Sequence, residues 1–168
     1  MPTSSVGKTR RARAGITLIE MVVVIAIIGL MVGVAYPSIT SGVDSLRLRG
    51  ATNSVVSFFD YGLSRAERRQ QTVEITISKE DNSLEMHSAD ASFHRKLQLP
   101  EGVSIVRVFP SLPEDADPEQ VVHRAFLLYP GGTVPPMGLQ LINRKKVQRV
   151  VRVDPITGVP RVENPVEQ

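Results

Sequence analysis

One charged side chain inside an otherwise apolar run constrains this chain most. The run extends from Ile16 to Tyr36, the charge is Glu20, and a basic leader with Lys8, Arg10, Arg11 and Arg13 precedes it at Gly15. As a helix, Ile16 to Tyr36 extends about 30 Å, the thickness of a bilayer's hydrocarbon core, so the segment 16–37 is predicted to span a membrane. The leader's cations predict retention on the cytoplasmic side, which puts all that follows across the membrane. A secretory signal peptide fits poorly, because the run is longer than the usual apolar region and no small-residue cleavage site follows it. A plain signal anchor accounts for the run and leaves Glu20 unexplained. An intramembrane acid costs about 2.5–3.5 kcal/mol on insertion scales and is tolerated beside a partner. Cleavage after Gly15 creates one, since the new α-amino group of Ile16 lies one helical turn from Glu20.

Composition narrows the chemistry. The 168 residues contain no cysteine, which removes disulfides, thiolate nucleophiles and Cys-ligated zinc from consideration. The formal charge of +3 belongs to the leader: without residues 1–15 the chain keeps 16 of its 20 basic side chains against 17 acidic ones, or about −1. Overall basicity therefore gives no support to nucleic-acid binding.

The order of basic leader, Gly15, apolar Ile16, Thr17-Leu18-Ile19-Glu20 and unbroken apolar helix resembles the class III signal of type IV pilins and type II secretion pseudopilins. The resemblance implies that a membrane aspartyl peptidase cuts after Gly15 and methylates Ile16. It also implies that Glu20 pairs with the N-terminus of a neighbouring subunit during assembly. The first mature residue in that family is more often phenylalanine, from which Ile16 departs mildly. Gly29 and Gly33 form a Gly-x-x-x-Gly pair, with Pro37 four residues on. Such small residues let helices approach closely in lipid, or simply reflect a glycine-tolerant membrane helix. The resemblance adds that this part of the helix extends or melts on polymerisation.

Beyond Pro37, the apolar positions Ile39, Val43, Leu46, Val55, Phe58, Phe59, Leu63 and Ala66 recur at helical spacing. They predict an amphipathic helix over 38–70, with Phe58 and Phe59 in a core and Arg65, Arg68 and Arg69 in a solvated last turn. From Gln71 the period falls to two. Strands are predicted at 72–77, 84–87, 103–109, 121–129, 138–143, 147–153 and 159–162, with 93–99 less clear and 111–120 a polar loop. Residues 71–168 thus read as an antiparallel β-sheet domain, and the whole as an α+β chain. The run Phe126 to Thr133, followed by Arg149 to Gly158, resembles the C-terminal half of the GspH-like family of minor pseudopilins and minor pilins, which implies a pilin-like fold.

Catalytic chemistry finds little support. His87, His94 and His123 lie in separate segments without metal-ligand spacing, and neither a phosphate-binding glycine loop nor a nucleophile motif is present. The acids Glu114, Asp115, Asp117 and Glu119 lack the ligand alternation and turn glycine of an EF-hand. An enzyme, a cofactor and a metal site are accordingly not expected. Arg144, Lys145, Lys146, Arg149, Arg152 and Arg161 could form a phosphate-binding patch, as in DNA-uptake members of the family. Those members carry Gly-Arg-x-Arg where this chain reads Gly158-Val159-Pro160-Arg161.

Together the resemblances imply a minor pseudopilin at the tip of a periplasmic type II secretion pseudopilus, with a type IV minor pilin, DNA-binding or not, as the alternative. The implied partners are other pseudopilins or minor pilins, the prepilin peptidase, the inner-membrane assembly platform and secreted cargo.

Overall fold

The structure, a computed structural model, describes residues 17–88, 90, 93–113 and 115–163, and of 34–41 the backbone alone. By its internal packing the chain divides into Met1–Ile39 and Thr40–Gln168. One helix, α1, runs from Leu18 to Arg69. Its first turn is capped by Thr17, whose Oγ1 accepts the Glu20 N–H at 3.3 Å, satisfying one of the donors that a helix start leaves without a partner. Its far end closes at Gln70, in the left-handed region at φ 52°, and the Gln71 N–H reaches back to the Ala66 carbonyl at 3.3 Å. That is the six-to-one bond of a Schellman ending.

In the second unit, α1 buries one stripe: Leu48, Ala51, Thr52, Val55, Phe58, Phe59 and Ala66, with Gly62 between them. The expected core role of Phe58 and Phe59 holds. The stripe nevertheless starts at Leu48, because Val43 and Leu46 are exposed, so the predicted periodicity extends too far toward the N-terminus. Thr52 is tolerated in the stripe because its hydroxyl donates to the Leu48 carbonyl at 2.7 Å, leaving no buried donor unsatisfied.

The sheet domain is antiparallel, as expected, but holds two sheets. The strands are β1 (Val73–Ser78), β2 (Ser83–Ser88), β3 (His94–Gln98), β4 (Val103–Phe109), β5 (His123–Leu128), β6 (Gly138–Asn143), β7 (Gln148–Val153) and β8 (Pro160–Glu163). The first sheet has the order β3-β2-β1-β5 and the second β4-β6-β7-β8. A short helix, α2 (Pro118–Val122), occupies the end of the predicted polar loop and shortens the predicted 121–129 strand. Asp117 caps it, accepting the Glu119 N–H at 3.0 Å, and Pro118 sits where its missing N–H costs nothing.

Inward residues of both sheets join the helix stripe in one core: Val73, Ile75, Ile77, Leu84 and Met86 from the first, Ile105, Val108, Leu139, Leu141 and Val151 from the second. The sheets are also tied by Asn82, in the left-handed region at φ 49° in the β1–β2 turn, whose Oδ1 accepts the Ile105 N–H at 2.9 Å. In β4 the register against β6 shifts between Ile105 and Arg107. The bulge leaves Val106 and Arg107 both exposed and returns Val108 to the core, which strict alternation would have turned outward.

Candidate functional site

The N-terminal unit carries the first set of predicted residues. Gly15 and Ile16 lie outside the described residues, as do the side chain of Pro37 and the leader. Glu20 stands exposed in the first turn of α1, where a carboxylate favours the positive end of the helix dipole. Around and after it Leu18, Ile19, Met21, Val22, Val23, Val24, Ile25, Ile27, Ile28, Leu30, Met31 and Val32 are all exposed, Leu18 at 82%. They occupy every side of the helix. A helix apolar all round belongs in lipid or among other apolar helices. Space is open beside Gly29 and Gly33, with nothing within 4 Å of a Cβ built on either. Among the described residues no helix is long and apolar enough to cross a membrane, the described side chains of this segment ending at Gly33 before resuming at Gly42.

The six C-terminal cations do not converge on one patch. Arg144, Lys145 and Lys146 form the β6–β7 turn, with Lys146 at φ 63°. The turn is held by buried Asn143, whose Oδ1 accepts the N–H groups of Lys145 at 3.0 Å and Val147 at 2.9 Å. Arg152 and Arg161 are register partners toward the other end of β7, about 13 Å from Gln148 at strand rise. Arg144 pairs with Glu101, Arg152 with Glu163 at 3.7 Å and Arg161 with Asp154 at 3.8 Å. Arg152 also lies over the Phe109 ring, 4.1 Å from its centroid. Arg149 projects from β7 as an exposed residue.

Arg68 and Arg69 at the end of α1 are exposed, as a solvated last turn implies, but Arg65 is more engaged. Arg65 is largely buried, stacks on Phe93 at 3.5 Å and approaches Asp90 at 3.9 Å. With Arg68, Arg69 and Arg95 it lines an open groove of about 530 Å³ beside Tyr61 and Asp60.

Sequence spacing missed one cluster. His87 of β2 and His94 of β3 are register partners, so two histidines from separate segments meet with ring centroids 4.6 Å apart. Glu85, two residues before His87, shares their outward face, and its Oε2 lies 3.6 Å from the His87 Nε2 and 3.5 Å from the His94 Nε2. Its Oε1 accepts from the Lys96 Nζ at 2.8 Å, and that hydrogen bond holds the carboxyl below its usual range. His123 begins β5 and takes no part. The only available signal was the alternation of Glu85 and His87 on one face; their meeting with His94 depends on the β2–β3 register.

Residues 10–36 match the prokaryotic N-terminal methylation motif. The minor pseudopilin EpsH from the type 2 secretion system of Vibrio cholerae superposes with a TM-score of 0.53 over 72% of this chain and 99% of its own, at 16% identity. The chain has a pilin-like fold and an N-terminal methylation motif. The type IV minor pilin FimU of Pseudomonas aeruginosa matches with a TM-score of 0.48 over 69% of this chain and 87% of its own, at 15% identity. A search of the curated proteins finds no match.

Proposed function

We propose that this chain is the precursor of a minor pseudopilin, a filament subunit rather than an enzyme. The observation that carries the reading is the exposed apolar surface around α1 from Leu18 to Val32, which lies within the methylation motif matched at residues 10–36. Such a surface needs lipid before assembly and other helices after it, and one segment meets both needs if the subunit moves from bilayer to filament. Cleavage after Gly15 and methylation of Ile16 supply the mature N-terminus. Glu20, exposed one turn later, pairs with the N-terminus of a neighbouring subunit, which offsets the cost of a carboxylate among apolar helices. Before assembly the segment anchors the chain in the inner membrane, N-terminus cytoplasmic and sheet domain periplasmic. The fold shared with EpsH supports placement in a type II secretion pseudopilus, where the sheet domain would meet other minor pseudopilins or cargo.

Mass spectrometry of the protein recovered from cells with an active prepilin peptidase tests this reading. An N-methylated Ile16 terminus is expected, and an intact leader would sink the proposal. Glu20→Leu separates anchoring from assembly: membrane insertion should persist while incorporation into filaments falls, and normal incorporation would contradict the pairing.

A further inference from the structure

We propose that Glu85, His87 and His94 form a binding site for a borderline divalent cation of the zinc class on the outward face of the first sheet. The three ligand atoms lie within 4.8 Å of one another. The Glu85 Oε2 sits 3.5 and 3.6 Å from the two Nε2 atoms, whereas donors in a tetrahedral zinc site with bonds of about 2.0–2.1 Å are about 3.3 Å apart. Contraction by a few tenths of an ångström therefore suffices on these two edges. The imidazole planes, now stacked at 20°, must rotate about χ2 so that their lone pairs converge.

The backbone fixes this arrangement. Antiparallel pairing places His94 opposite His87, and the two-residue period places Glu85 on the same face beside them. Lys96, opposite Glu85, engages the other carboxylate oxygen at 2.8 Å and so orients Oε2 toward the histidines. Glu74 of β1 occupies the register position on the other side of His87, adding a second negative charge to the row. Two imidazoles and one carboxylate suit Zn²⁺, Cu²⁺ or Ni²⁺ better than calcium or magnesium, which prefer all-oxygen shells. His87 and His94 are exposed and β3 is the sheet's edge strand, so the fourth position is open to water. A bound ion ties β3 to β2 at their outer end, where the sheet has no further strand to support it. The site stands independently of the filament assignment.

The test is titration of the full chain in detergent with Zn²⁺, and with Co²⁺ as a spectroscopic probe of coordination. One equivalent should bind, the Co²⁺ visible bands should report nitrogen and oxygen donors in a four-coordinate site, and Zn²⁺ should raise the thermal midpoint. His94→Ala and His87→Ala should each weaken binding at least about tenfold, as loss of a direct ligand exceeds the tenfold minimum seen for outer partners. Glu85→Gln, which retains an acceptor for Lys96, should weaken it as well, while His123→Ala should bind as the parent chain does. Failure of the parent chain to bind Zn²⁺, or unchanged binding in both histidine variants, would overturn the proposal.

Discussion

At the residue scale, the turns of the sheet domain are held by short side chains that bond their own backbone. Asn143 and Asp154 are two of them. The Asp154 Oδ1 accepts the Ile156 N–H at 2.9 Å and the Thr157 N–H at 3.2 Å, fixing the turn between β7 and β8, while Arg161 approaches its other oxygen. These bonds, that from Ile156 first, favour the ionised form and lower the carboxyl's pKa. The sign follows by linkage. A depressed native pKa contributes stability that is present above the unfolded value of about 3.9 and is lost as the pH falls through the native one. Asp154→Ala should therefore lower the urea midpoint of the chain at pH 7, and the gap from the parent should narrow as the pH is taken below the carboxylate range. A gap constant down to pH 2 would show that the charge contributes nothing. The turn itself was legible in Asp154-Pro155-Ile156-Thr157-Gly158. Asn143 was not, because the neighbouring Arg144-Lys145-Lys146 stands out by charge while the residue that organises the turn is neutral and buried.

At the element scale, helix α1 reads in two ways along its length, and the difference is what each part has to pack against. From Leu48 to Ala66 a single stripe meets the sheets, and Phe58 and Phe59 were legible there from spacing alone. Gly62 was not, since a glycine carries no hydrophobic signal. Yet a Cβ built on it would come within 2.9 Å of the Ile75 Cδ1 and the Met86 Cε, so the helix lies close on the first sheet at that point. Both obstructing atoms are ends of flexible side chains, so a methyl can be absorbed by small shifts. A larger group cannot. Gly62→Leu should destabilise the chain by about 1–3 kcal/mol through overpacking, read as a lower urea midpoint with an unchanged slope. A neutral result would mean that the helix can lift from the sheet without loss. The same reasoning explains the strands. Val103–Phe109 was legible in its limits, but the bulge at Val106 depends on pairing with β6, and the division into two sheets on which strands become neighbours. Neither is a property of a single run of residues. The meeting of His87 and His94 was hidden for the same reason.

At the scale of the whole molecule, charge is what the proposed cleavage after Gly15 would change. Removal of residues 1–15 takes away four cations and no acid, so the chain passes from a formal +3 to about −1. A polyanion such as DNA then meets a surface with no general attraction for it, and binding has to come from a local group of cations. The six C-terminal candidates are poorly placed for that. Arg144, Arg152 and Arg161 already face Glu101, Glu163 and Asp154, and the basic turn is separated from the Arg152–Arg161 pair by most of the length of β7. Each phosphate neutralised adds about 0.9 to the slope of log K against log salt on duplex DNA, so the slope counts the cations that act together. The mature chain in detergent, titrated into labelled duplex at several salt concentrations, should give weak binding with a slope of about one or two. The uncleaved precursor should be steeper by up to about 3.6, the contribution of the four leader cations. A mature chain with a slope of about five, reduced by about one in Arg149→Ala or Arg152→Ala, would instead show that the six residues act as one phosphate-binding surface. In that case the carboxylate pairs give way to phosphate, and the DNA-binding pilin becomes the better description of this sheet.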